Sequence, residues 1–163
     1  MNVVTCSELP AEALVSLLSP FKLDVKWVNS NADIPGSFWG DSEAGLIGNT
    51  LYLQNITPVH SALHEACHYI CMDITRRNQL DTNAGGDYDE ENAVCYLQLL
   101  LSNYLDGYSQ LRHFQDMDNW GYSFRLGSAK RWFEEDAEDA KEWLINKNLI
   151  NNQEIPTWIL QNH

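Results

Sequence analysis

The strongest periodic signal in the chain lies between residues 59 and 74. Val59, Leu63, Ala66, Ile70 and Ile74 recur at helical spacing and predict one narrow apolar face. Thr57-Pro58 precedes them, reading as a Thr N-cap with Pro at the first helical position, where a missing N–H costs nothing. Upstream, Leu9, Ala13, Leu14, Leu17 and Leu18 predict a short amphipathic helix over residues 8–18, ended by Ser19-Pro20. Residues 23–28 alternate apolar and polar, as a half-buried strand does, and residues 29–40 are rich in turn formers. Two short apolar runs, 44–47 and 50–54, flank Gly48-Asn49 and predict a hairpin that leads straight into the central helix.

Beyond that helix the chain turns polar and glycine-rich. Asn83-Ala84-Gly85-Gly86 predicts a mobile loop within residues 81–87. A second strong helix is expected from residue 90 to 105. Residues 110–127 mix aromatic and turn signals and predict no definite element. Ser128 reads as the N-cap of a third helix running to residue 147, with Trp132, Phe133, Ala137, Ala140 and Leu144 on one side. Glu134, Glu135, Asp136, Glu138 and Asp139 crowd its first half and read as a solvated face. The pattern as a whole predicts an α+β fold, with one domain over residues 1–163 and a small sheet packed on the central helix.

Composition narrows the classes. With 44% hydrophobic and 20% charged residues in 163, a soluble globular domain is expected. No apolar run approaches the length of a membrane span, so no membrane partner is expected. The first residues lack a basic segment and carry Glu8 and Glu12, which points to the cytoplasm. A net charge of −13 argues against nucleic acid as a partner, because binding phosphates needs clustered Lys and Arg. Cys6, Cys67, Cys71 and Cys95 form no C-x-x-C pair and read as free thiols, though Cys71 borders the histidine face described next.

His64 and His68 fall roughly 140° from the centre of the apolar face of the central helix. Four residues apart, they share one side of the helix, and with Glu65 they spell H-E-x-x-H. Two imidazoles so placed can converge on a divalent cation, while Glu65 can reach a water on it as the catalytic base. The competing reading is a solvated face with two surface histidines. A catalytic zinc site needs a third ligand, and residues 87–97 offer Glu90 and Glu91. Taking Glu90 as the origin, Val94, Leu97, Leu101 and Tyr104 lie within roughly 40° of it, whereas Glu91 lies near Gln98 and Ser102. A carboxylate that begins an apolar face must be paired or bind a metal, so Glu90 is the predicted ligand. Its competing role is in a capping motif with Asp87.

H-E-x-x-H over His64–His68, followed by E-x-x-A-x-x-Y over Glu90–Tyr96, resembles the compact gluzincin-type metallopeptidases, and most closely the ImmA/IrrE-type group. The resemblance covers residues 44–101. Two positions depart from it: Val94 stands where the group has Asn or Asp, and Cys67 where it commonly has Gly. The resemblance implies a zincin-like domain holding Zn²⁺ through His64, His68 and Glu90, with Glu65 accepting a proton from the attacking water. It implies a peptide or protein substrate. His113, Tyr104, Tyr108 and Tyr122 are of the right chemical type to stabilise an oxyanion, and the hairpin offers a strand edge to which a peptide could add. His60, one turn before the motif, is expected to be exposed. Two other functions fit the same residues: a non-catalytic interaction module on such a scaffold, and a zinc hydrolase of non-peptide amides.

Overall fold

The computed structural model describes residues 2–29, 31–37, 43–82 and 85–162. Parts of the turn-rich stretch, Ser30 and residues 38–40, lie outside the described residues, as do Asn83 and Ala84 of the glycine-rich loop. The described chain is α+β, with ten elements in the order α1 (Ala13–Leu18), β1 (Asp24–Trp27), β2 (Gly45–Ile47), β3 (Thr50–Leu53), α2 (Val59–Cys71), α3 (Ile74–Asn78), α4 (Tyr88–Leu101), α5 (Gln110–Trp120), α6 (Ala129–Glu135) and α7 (Glu138–Asn146). No helix among the described residues is long and apolar enough to cross a membrane.

The sheet has the order β1-β3-β2. Strand β3 pairs in parallel with β1 (Val25 opposite Leu51) and antiparallel with β2 (Leu46 opposite Leu51). The hairpin turn is the expected Gly48-Asn49, with Gly48 in the left-handed region at φ +57°. That conformation is open to glycine at little cost and lets two strands reverse within two residues. Leu46, Leu51 and Leu53 are fully buried and join Leu63, Ala66 and Ile70 of α2 in one continuous apolar cluster.

Helix α2 is the hub. Every residue in it except His64 is buried. A helix buried all round must be covered on every side; the sheet covers one side of α2, and α4 and α5 pack on the others. Its start is pinned by the N-terminal segment, through Cys6 N–H to Thr57 C=O (2.8 Å) and Val59 N–H to Val4 C=O (2.9 Å). Thr57 does not cap the helix as expected. Its hydroxyl accepts the Gln54 N–H (2.9 Å) and closes the turn out of β3 instead.

Three expected boundaries move. The helix over 8–18 shortens to α1, after a single turn at Cys6–Glu8, because Pro10 disfavours helical backbone at Leu9, which is extended at ψ 157°. Ile74 leaves the apolar face of α2, which ends at Cys71; Asp73 then caps α3 by accepting the Arg76 N–H (2.8 Å). The helix expected over 128–147 breaks at Asp136 and Ala137 into α6 and α7. Ser128 does cap its start. Trp132 of α6 and Leu144 of α7 are both buried in the core. The undefined stretch after 110 becomes α5, capped by Ser109 and ended by Gly121 at φ +105°.

The C-terminal end of α2 is held by a buried guanidinium. Arg77 donates to the carbonyls of Tyr69 (3.0 Å), Met72 (2.7 Å) and Gln161 (2.8 Å). It satisfies carbonyls that a helix end leaves free and ties the tail of the chain to the hub. Arg77→Met keeps the apolar stem but orphans several buried acceptors. It should lower the unfolding free energy by about 2–4 kcal/mol in a urea titration. An unchanged midpoint would contradict this clamp.

Candidate metal centre

The site forms where two polar stripes meet. His60, His64 and His68 recur every fourth residue along α2, and Glu91, Cys95 and Gln98 follow one another along α4. The helices pack with these stripes facing each other. His64 Nε2 lies 2.9 Å from Glu91 Oε1, and His68 Nε2 lies 3.0 Å from Glu91 Oε2. The three ligand atoms all fall within 4.8 Å of one another. The two imidazoles meet edge to face, 4.7 Å between ring centres.

The structure sets Glu91, rather than the expected Glu90, against the two histidines. Glu90 is buried, as its phase predicted, but it does not face the histidines. Its carboxylate takes a fork from Arg76, with Nη1 to Oε1 at 3.0 Å and Nη2 to Oε2 at 2.5 Å. The premise that a buried carboxylate needs a partner holds; the partner is a guanidinium on α3 rather than a metal. Asp87 caps α4 by accepting the Glu90 N–H (2.9 Å), and a side chain at Gly86 would collide with the Glu90 carboxylate. Glu91, one position on and about 100° round the helix, points at α2. The face of α4 that reads as polar is an internal seam, since Gln98 and Ser102 are as fully buried as Leu97 and Leu101.

Burial and charge tune the cluster. Burial opposes charge on His64, but Tyr122, Cys95 and Glu91 outweigh it and hold its pKa well above the usual imidazole value. Burial would raise the Glu91 carboxyl, yet the hydrogen bonds and charge of His64 and His68 hold it far below the usual range. Burial lifts Glu65 above it. His60 is fully buried rather than exposed, with its Nδ1 3.3 Å from the Tyr122 hydroxyl and its ring 5.0 Å from Trp120. Burial, helped by His64, pushes its pKa down to about 3. Cys67 and Cys71 are buried with raised thiol pKa values, burial being the main cause, and Cys71 is not part of the cluster.

A cleft of about 530 Å³ opens beside the cluster, its lining including Glu65, Glu91 and His64 together with Trp120, Tyr122 and Phe124. Glu43 closes one end, held by Ser61 Oγ (2.5 Å) and Trp120 Nε1 (2.9 Å). Of the four expected oxyanion stabilisers only Tyr122 lines it. Tyr108 donates to Asp116 (2.9 Å), His113 is fully buried behind Gln98, and Tyr104 lies against Trp158. A groove of similar size, about 590 Å³, runs along α1, but no histidine or cysteine lines it. The strand edge expected to take a peptide is occupied. On the outer side of β2, Leu46 donates to Gly36 C=O (3.0 Å) and accepts from Thr82 N–H (2.9 Å).

The two glutamates separate by substitution. Glu91→Ala should weaken zinc binding by more than about 100-fold, beyond the usual loss for an outer partner. Glu90→Gln should leave zinc binding within about threefold and cost about 1–2 kcal/mol of stability, a figure discounted because Arg76 is one-third exposed. Loss of zinc from Glu90→Gln and not from Glu91→Ala would reverse the assignment. A second test is acid. The folded pKa of His60, about 3, lies below its ordinary value of 6.5, and burial also holds His113 well below that value. Between those values the unfolded chain binds protons that the folded chain refuses, so stability falls as pH falls. In EDTA the urea midpoint should drop between about pH 6.5 and about pH 4.5, above the ordinary carboxylate range, with the raised Glu65 carboxyl offsetting part of the drop. A flat profile across that window would contradict two neutral buried imidazoles.

No family model, curated protein or solved structure matches the chain, so the geometry of this site carries the functional reading.

Proposed function

We propose that the chain is a zinc-dependent hydrolase of the metallopeptidase type, cleaving a peptide or protein substrate in the cleft beside α2 and α4. The observation that carries this reading is the convergence of His64 Nε2, His68 Nε2 and the Glu91 carboxylate, with Glu65 lining the same cleft. The donor set fits the ion. Tetrahedral Zn²⁺ with bonds of about 2.0–2.1 Å sets its ligands about 3.3 Å apart. The nitrogen–oxygen separations of 2.9 and 3.0 Å, to the two oxygens of Glu91, and the 4.8 Å span of the whole group are close enough for the three to turn toward one such ion. Two imidazoles and one carboxylate also leave a fourth position open, as a catalytic rather than a structural site requires.

Bound there, Zn²⁺ supplies a Lewis acid that polarises a carbonyl and makes water acidic. The protein supplies the rest. Glu65 sits between the two histidine positions on α2 with a raised pKa, suited to take a proton from the attacking water and return it to the leaving amine. Tyr122 lines the same cleft, its ring 5.9 Å from the His64 ring between centroids, and its hydroxyl, now 3.3 Å from His60 Nδ1, is the group of the expected set that could turn to an oxyanion. The aromatic wall of Trp120, Tyr122 and Phe124 gives an apolar surface for a substrate side chain. With no Lys or Arg among its lining residues, the cleft favours neutral or basic peptides.

The reading expects about one Zn²⁺ per chain by elemental analysis after zinc loading. Glu65→Gln should hold the same zinc and lose about 10²–10⁴-fold in hydrolysis of a mixed peptide library, because it keeps size and hydrogen bonding but not basicity. Equal cleavage by wild type and variant would exclude Glu65 as the base. A zinc-loaded wild type that cleaves nothing in the library would favour a binding module over an enzyme.

A further inference from the structure

We infer that Gln98 is a positioning residue, braced by His113, that fixes His64 in the tautomer and ring orientation a metal requires. This rests on the metal-centre reading above. His64 Nδ1 lies 2.6 Å from Gln98 Oε1. The other end of the same amide lies 2.7 Å from His113 Nε2 and 3.5 Å from the His60 carbonyl. Gln98, His113 and His60 are all fully buried, so water cannot replace any of these partners.

The orientation follows from what each group can donate. The His60 carbonyl only accepts, so the amide end facing it and His113 is the NH₂. The opposite end, facing His64, is then the oxygen, which only accepts. His64 Nδ1 must therefore carry a proton. With Nδ1 committed to Gln98, Nε2 is the nitrogen left to face Glu91; without a metal it donates to that carboxylate, and it is the atom whose lone pair a metal would take. The same logic makes His113 Nε2 an acceptor and puts its proton on Nδ1, a buried atom with no hydrogen-bond partner. An enclosed amide–imidazole pair with one unmatched donor is a poor way to fill a core. As the outer support of a ligand it has a purpose, since metal-bound histidines commonly donate their second N–H to such a partner. His68 has no equivalent: its Nδ1 is buried and unpartnered. His64 is thus the braced ligand of the pair. Because Gln98 and Glu91 lie two turns apart on one face of α4, a single helix packing sets both the ligand and the brace.

The test uses the full chain with two substitutions. Gln98→Met keeps length and removes the acceptor; Gln98→Glu restores an acceptor to His64. Zinc affinity is read by competition with a chromophoric chelator, and ring tautomers by ¹⁵N NMR of labelled histidine. Gln98→Met should bind zinc about 10–100-fold more weakly, and Gln98→Glu should recover most of that loss. His113 in the metal-free wild type should be the neutral Nδ1–H tautomer. Equal weakening in both variants would assign the effect to packing and overturn the proposal. So would unchanged affinity in Gln98→Met, or a His113 proton on Nε2. The NMR readout holds even if a variant fails to fold, because it needs only the wild type. A wild type that takes no zinc would instead remove the metal-centre reading itself, and this role with it.

Discussion

Two largely buried imidazoles meet a half-exposed carboxylate between α2 and α4, and the site depends on their satisfying one another. Charged groups in such a place are costly unless paired. Glu91 sits against both rings, Gln98 holds the far side of one, and His113 holds Gln98. The seam is therefore more than a lining for a cleft. It sets how the two most buried helices of the fold lie against each other. It also brings His64, His68 and Glu91 within 4.8 Å of one another, close enough that they could hold a metal ion.

The surrounding framework keeps α2 from sliding. Its start is stitched to the N-terminal segment, which is in turn tied to α5 through Asp116. That fully buried carboxylate accepts from Val4 N–H (3.1 Å), the Tyr108 hydroxyl (2.9 Å) and Arg112 Nε (2.8 Å). Its end is clamped by Arg77 and by the tail of the chain at Gln161. A shift of about 1.5 Å along the helix axis is one residue of rise, and would remove both histidines from Glu91. Polar groups at both ends of the hub thus protect the register at its middle.

Much of this was legible in the chain. The hairpin at Gly48-Asn49, the central helix, and the α+β character follow from periodicity and turn chemistry. The pairing of His64 with His68 follows from their spacing. The third member of the cluster was placed at Glu90 for a physical reason: beyond its first turn α4 is buried all round, so the side that reads as polar and solvated, with Gln98 and Ser102, points inward. Glu91, Cys95, Gln98 and Ser102 form a polar stripe through an otherwise apolar helix, and that stripe was the available signal. Arg76, soon after the motif helix, was the available partner for a buried Glu90. Tyr122 could not be ranked above Tyr104 or Tyr108, because its place in the cleft depends on how the chain turns after Gly121, a tertiary matter with no local signature.

The central claim is that one divalent ion belongs between α2 and α4 on two imidazoles and the Glu91 carboxylate. X-ray absorption at the zinc edge of the loaded protein tests it most directly, because Cys95 stands beside His64 on the same seam. The account predicts a nitrogen and oxygen shell at about 2.0–2.1 Å with the outer scattering of two imidazoles and no sulfur. A sulfur shell near 2.3 Å, or an oxygen-only shell without imidazole, would contradict it.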